Sequence, residues 1–192
     1  MPHPHDPACP CCRPFDAAQR RGASRRGFLT LATVGAGAAL LAPAWTRPAA
    51  AAGNAEALLL TCMDYRLTWA TAMYMDQRGL RNQYDHLVLA GASLGVVMDP
   101  HPDWTSGFWE HFAVAEKLHR IRRVILMDHR DCGAYATFLG QDFAKDPALE
   151  TKIHTENLQK LGQQVRDKYP KHSVELLLMA LDGTVEPIPL AG

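Results

Sequence analysis

The residues best equipped for chemistry stand at the ends of apolar runs. In "VILMDHRDCGAY" (124–135) a hydrophobic stretch stops in His129, Arg130, Asp131 and Cys132, followed by Gly133. In "ALLLTCMD" (57–64) another stops in Cys62 and Asp64, with Arg66 two residues on. Cys62, His129 and Cys132 offer two thiolates and one imidazole, a donor set suited to zinc. Three protein ligands leave the fourth tetrahedral position to water, the mark of a catalytic site; a structural zinc closes all four. No further Cys or His accompanies the two segments, and Asp64 is the nearby group able to fill the remaining position. The same cysteines allow a plainer reading, because a cysteine pair in an exported protein commonly forms a disulfide. Both readings stand at this point.

Whether the protein is exported depends on how the chain begins. Residues 1–52 show no pattern of a soluble domain. A leader with His3, His5, Cys9, Cys11 and Cys12 precedes Arg20, Arg21, Arg25 and Arg26. An apolar run from Phe28 to Ala44 follows, and small residues from Ala49 to Ala52 close it. Charged, apolar, small-residue is the order of a secretory signal. The window "SRRGFLTL" (24–31) resembles a twin-arginine export signal. The run is shorter than the roughly 20 residues a membrane span needs, so no stable span is expected after cleavage. The expected division is a signal and leader over 1–52 and a mature domain over 53–192, located in the periplasm or otherwise exported. Cleavage would remove three of the five cysteines and leave Cys62 and Cys132. The chain has 192 residues, with 20 Lys plus Arg against 20 Asp plus Glu, so no net charge points to nucleic acid.

The mature part must fold to bring these residues together. "ALLLTCMD" reads as a strand and "TWATAMYMDQRGL" (68–80) as a helix stopped by Gly79. "HLVLAGASLGVV" (86–97) reads as a second strand that breaks into glycines at Gly91 and Gly95. Trp104, Phe108, Phe112, Ala115 and Leu118 recur at helical spacing and predict a core-facing stripe. "RRVILMDH" (122–129) gives a third strand. A helix with Leu158, Leu161, Val165 and Tyr169 on one side follows, and "SVELLLMALDG" (173–183) gives a fourth strand. Strands alternating with helices predict a three-layer α/β fold, its mostly parallel sheet of about four to five strands flanked by helices. Ligands bind outside the carboxyl ends of such strands, where Cys62, Gly91 and His129 would lie along one edge.

Taken in order, these motifs resemble the beta-class carbonic anhydrases. The carriers are C-x-D-x-R at Cys62, Asp64 and Arg66, H-x-x-C at His129 and Cys132, the "CGAY" continuation and the final "LDGTVEPI". The resemblance spans Ala57 to Ile188. The segment "VLAGAS" departs from the Arg-Asn-Ala-Gly stretch of many members. The resemblance implies one zinc per chain on Cys62, His129 and Cys132, and hydration of carbon dioxide to bicarbonate by a zinc-bound hydroxide. It gives Asp64 the role of orienting that hydroxide and Arg66 that of holding Asp64 off the metal through a bidentate pair. It also implies a homodimer or higher homo-oligomer. A zinc hydrolase of carbonyl sulfide or carbon disulfide, and a zinc-binding protein without turnover, are the alternatives.

Overall fold

Strand β1 (Ala57–Thr61) is buried along its whole length because helices cover both of its faces. Alternation sends successive side chains to opposite sides. Leu58 and Leu60 join Val124, Leu126, Leu176 and Leu178 on one face of the sheet. Ala57 and Leu59 join Ile125, Met127, Leu177 and Met179 on the other. The computed structural model describes residues 53–190, and the signal and leader expected over residues 1–52 lie outside the described residues.

After β1 come helix α1 (Thr68–Gln77), β2 (Tyr84–Val88), α2 (Ser93–Val97), α3 (Pro102–His119) and β3 (Arg123–His129). The chain continues through α4 (Gly133–Leu139), α5 (Pro147–Lys168), β4 (Ser173–Met179) and β5 (Val185–Ile188). The sheet order is β2-β1-β3-β4-β5. β2, β1, β3 and β4 run parallel, and β5 pairs antiparallel with β4. Met75 of α1 packs on one face. Phe108, Phe112 and Ala115 of α3 and Leu158, Leu161 and Val165 of α5 pack on the other. This is the expected three-layer, mostly parallel α/β architecture.

The order fixes where a site can form. The chain leaves β1 toward β2 on one side and returns to β3 on the other, so the strand order reverses between β1 and β3. That crevice is the usual ligand position in an open α/β sheet. Thr61 lies opposite Met127, and β3 runs two residues further, to His129. Cys62 and His129 therefore leave adjacent strands at the same edge.

Two expectations are corrected. The second strand ends at Val88, and Ser93–Val97 forms a short helix, every residue of it buried. An apolar run buried on all sides carries no periodicity to separate strand from helix. The break is made by Gly91 (φ 72°) and Ala92 (φ 41°), both in positive φ. Gly95 lets the new helix close down, since a Cβ there would run into the Ala90 carbonyl oxygen. The α3 stripe is also shorter than its spacing suggested, because Leu118 is 50% exposed.

Candidate metal centre

The donor atoms of Cys62, His129 and Cys132 lie within 4.8 Å of one another. The two sulfurs are 3.8 Å apart and both cysteines are free. A disulfide needs about 2.0 Å between sulfurs. Two thiolates each about 2.3 Å from a tetrahedral zinc ion would sit about 3.8 Å apart, which matches the observed separation. His129 is 3% exposed. Its Nδ1 makes a 2.8 Å contact with the Arg130 carbonyl oxygen, to which it donates, and this leaves the lone pair on Nε2. Nε2 is buried and has no hydrogen-bond partner. A buried polar atom without a partner is costly, and a cation bound by all three groups would satisfy it. The residues fit zinc.

Each donor has its own support. The Gly91 N–H reaches the Cys62 sulfur at 3.4 Å, a contact that the positive-φ turn makes possible. The loop from His129 to Cys132 turns through Asp131, whose φ is 54°. In that conformation its N–H donates to Glu150 Oε1 at 2.6 Å, and its carbonyl accepts from Arg66 Nη2 at 2.8 Å. Glu150 is itself placed by the start of α5, where Asp146 caps the Leu149 N–H at 3.0 Å and Pro147 opens the helix. Glu150 is 4% exposed and also accepts from Arg130 at 3.2 Å.

Asp64 and Arg66 form the expected bidentate pair. Arg66 Nε donates to Asp64 Oδ1 at 3.0 Å and Nη2 to Oδ2 at 2.7 Å. The Arg66 backbone N–H adds a third bond to Oδ1, at 3.0 Å. Asp64 Oδ2 stands 3.8 Å from His129 Nε2, beside the donor cluster and turned toward the guanidinium. Arg66 also donates through Nη1 to Asp131 Oδ2 at 2.6 Å. One arginine thus links the Asp64 segment to the loop carrying Cys132.

The hydrogen bonds from Arg66 hold the Asp64 carboxyl below the usual carboxylate range, against some desolvation. The two sulfurs lie within hydrogen-bonding reach of each other. The hydrogen bond from Cys132 lowers Cys62, aided by His129 and Gly91 against burial. The same hydrogen bond, burial and the Cys62 charge push Cys132 up. A bound cation would hold both sulfurs as thiolates, the form in which thiols ligate.

All five expected residues meet at this edge, and further ones join them. Asp131 and Glu150 were not foreseen, nor was a cluster in which Ser93, Tyr135 and His154 all bond to Asp128. Asp128 carried a readable signal, being a carboxylate inside an apolar strand. The Gly91 donor is backbone and carries none.

Known proteins resemble much of the chain. Uncharacterized proteins from Rickettsia bellii (strain RML369-C) and Rickettsia conorii (strain ATCC VR-613 / Malish 7) are each 36% identical over 135 residues. The match covers 70% of this chain, and 82% and 73% of theirs respectively. Among solved structures, a carbonic anhydrase from Streptococcus mutans is 17% identical with a TM-score of 0.49, covering 84% of this chain and 97% of its own. A Coccomyxa beta-carbonic anhydrase in complex with acetazolamide is 13% identical with a TM-score of 0.48, covering 88% and 86%. Residues 52–189 match the family described as "Putative carbonic anhydrase", and the chain belongs to that family.

Proposed function

We propose that the protein is a zinc-dependent carbonic anhydrase that hydrates carbon dioxide to bicarbonate, with one zinc held by Cys62, His129 and Cys132. The observation that carries this reading is the buried, unpartnered His129 Nε2 within 4.8 Å of two free thiols. When bound, zinc lowers the pKa of a coordinated water toward neutrality and so supplies a nucleophile at ordinary pH.

The chain's own residues do the rest. Two thiolates neutralise much of the metal's charge, so the surrounding hydrogen bonds matter more. Arg66 keeps Asp64 ionised, and the carboxylate, beside the donor cluster, would accept a hydrogen bond from a proton-bearing oxygen there. Arg66 holds that carboxylate through two parallel bonds and is braced by Asp131. A protein that only stored metal would need neither Asp64 nor its clamp, which favours an enzyme.

The partner reading follows the rim of the site. Met63, Tyr65 and Trp69 are 66%, 86% and 75% exposed and flank Asp64 and Arg66. We take a second copy of the chain to cover them, as a homodimer or higher homo-oligomer, which light scattering of the purified protein would check.

The test of the function is zinc content and carbon dioxide hydration in the wild-type and Cys132→Ser proteins. The variant should lose metal and activity together, because a neutral hydroxyl replaces a thiolate. A loaded, active Cys132→Ser protein, or an active wild type with Cys62 and Cys132 disulfide-bonded, contradicts the assignment. A loaded wild type that ignores carbon dioxide but hydrolyses carbonyl sulfide would assign the same centre to the sulfur analogue.

A further inference from the structure

Asp128 interrupts an apolar strand and is 1% exposed. Its carboxylate accepts four hydrogen bonds. Oδ1 takes the Ser93 N–H at 3.0 Å. Oδ2 takes the Ser93 hydroxyl at 2.6 Å, the Tyr135 hydroxyl at 2.6 Å and His154 Nδ1 at 2.9 Å. Ser93, Tyr135 and His154 are 0%, 1% and 1% exposed, so water does not compete for these bonds. The His154 ring also packs against Tyr135, with centroids 3.9 Å apart.

The donors come from three helices, and each belongs to a segment that carries or supports a metal donor. Ser93 opens α2, two residues after Gly91, whose N–H reaches the Cys62 sulfur. Tyr135 lies in α4, three residues after Cys132. His154 sits in α5 one turn beyond Glu150, which holds the Asp131 N–H. Asp128 itself immediately precedes His129 in β3. A charge buried this deeply is a poor device for stability, since apolar residues of similar volume usually serve as well or better. A fully satisfied buried network does fix one arrangement of the elements that it joins.

We infer that Asp128 is a positioning residue for the metal centre, with Ser93, Tyr135 and His154 as its anchors. By tying α2, α4 and α5 to the strand that ends in His129, it sets the spacing of Cys62, His129 and Cys132. This inference rests on the zinc reading of those three residues. Asp128→Asn should break the cluster, because an amide nitrogen facing Ser93, Tyr135 and His154 can accept from none of them. Turning the amide over only moves the mismatch to the Ser93 N–H.

The experiment measures zinc affinity by chelator competition, and the visible spectrum of the cobalt-loaded protein. Both use the full-length chain carrying Cys9→Ser, Cys11→Ser and Cys12→Ser, so that leader thiols do not compete for metal. Asp128→Asn should weaken zinc binding by about ten- to hundredfold and shift the cobalt bands. Tyr135→Phe and Ser93→Ala, each removing one hydroxyl and little volume, should weaken it in the same direction by less. Leu161→Ala is the comparison, because Leu161 is a fully buried core residue of α5 two turns beyond His154 and makes no hydrogen bond to Asp128. It should lower the melting temperature and leave zinc affinity unchanged. If Asp128→Asn does not fold, the two hydroxyl variants decide. Unchanged affinity and cobalt spectra in the folded cluster variants overturn the inference while leaving the zinc site intact. So does a loss no larger than that of Leu161→Ala. A wild-type chain that takes up no zinc overturns the inference together with the function on which it rests.

Discussion

At the scale of single residues, the account turns on Asp64 being ionised, close and restrained. Asp64→Asn should keep its zinc and lose on the order of a hundredfold or more in hydration rate, the usual loss when one oriented interaction is removed. The amide keeps a hydrogen-bonding shape but no longer offers a carboxylate. Turnover close to wild type with zinc retained would make Asp64 structural. Arg66 lowers the Asp64 pKa mainly by hydrogen bonding, so activity that needs the carboxylate is lost only as pH falls through that depressed value. Arg66→Ala removes the largest cause of the depression, and the acid limb of the rate profile should move to higher pH. An acid limb that stays in place would show that Arg66 does not tune Asp64. Cys62, His129 and Cys132 stood out in the sequence as a donor set at the ends of two apolar runs, and Asp64 and Arg66 through the resemblance that C-x-D-x-R carries. Asp131 did not, because much of its role follows from a backbone turn with φ 54° that gives its N–H to Glu150 and its carbonyl to Arg66.

At the scale of elements, the apolar runs announced β1, β3 and β4, and the heavily patterned α3 and α5 were visible from their spacing. Ser93–Val97 reads as strand in the sequence because all of its side chains are buried, which erases the 3.6-residue signature. Helix α4 is seven residues long and begins directly after Cys132, so the metal motif obscured it. Two glycines test the reading of these helices. At Gly95 a Cβ would meet the Ala90 carbonyl oxygen and the Leu89 side chain, so Gly95→Ala should cost about 1–3 kcal/mol by overpacking. At Gly107, inside α3, a Cβ meets nothing within 4 Å, and Gly107→Ala should stabilise by about 0.8–1 kcal/mol through helix propensity. Chemical denaturation of both variants checks the pair. Equal effects of the same sign would mean that α2 does not pack against the 89–90 turn as described.

At the scale of the whole molecule, the sheet order brings the ends of β1 and β3 together, and with them the three donors that the sequence separates by 67 and 70 positions. No helix among the described residues is long and apolar enough to cross a membrane. We propose that "SRRGFLTL" routes the protein out of the cytoplasm, to the periplasm or beyond, through the twin-arginine pathway, which carries folded proteins. Zinc inserted in the reducing cytoplasm would then protect Cys62 and Cys132 before they meet an oxidising compartment. Replacing Arg25 and Arg26 with Lys should leave zinc-loaded, active precursor inside the cell, as fractionation with zinc and activity assays would show. Normal export of that variant would refute the routing. The central claim is that zinc on these three residues hydrates carbon dioxide. Its most direct test is the hydration rate of metal-free chain, in the background lacking Cys9, Cys11 and Cys12, during titration with zinc. The rate should rise in proportion to added zinc and level off at one equivalent per chain. A chain that binds its full equivalent and hydrates carbon dioxide no faster than buffer would contradict the account.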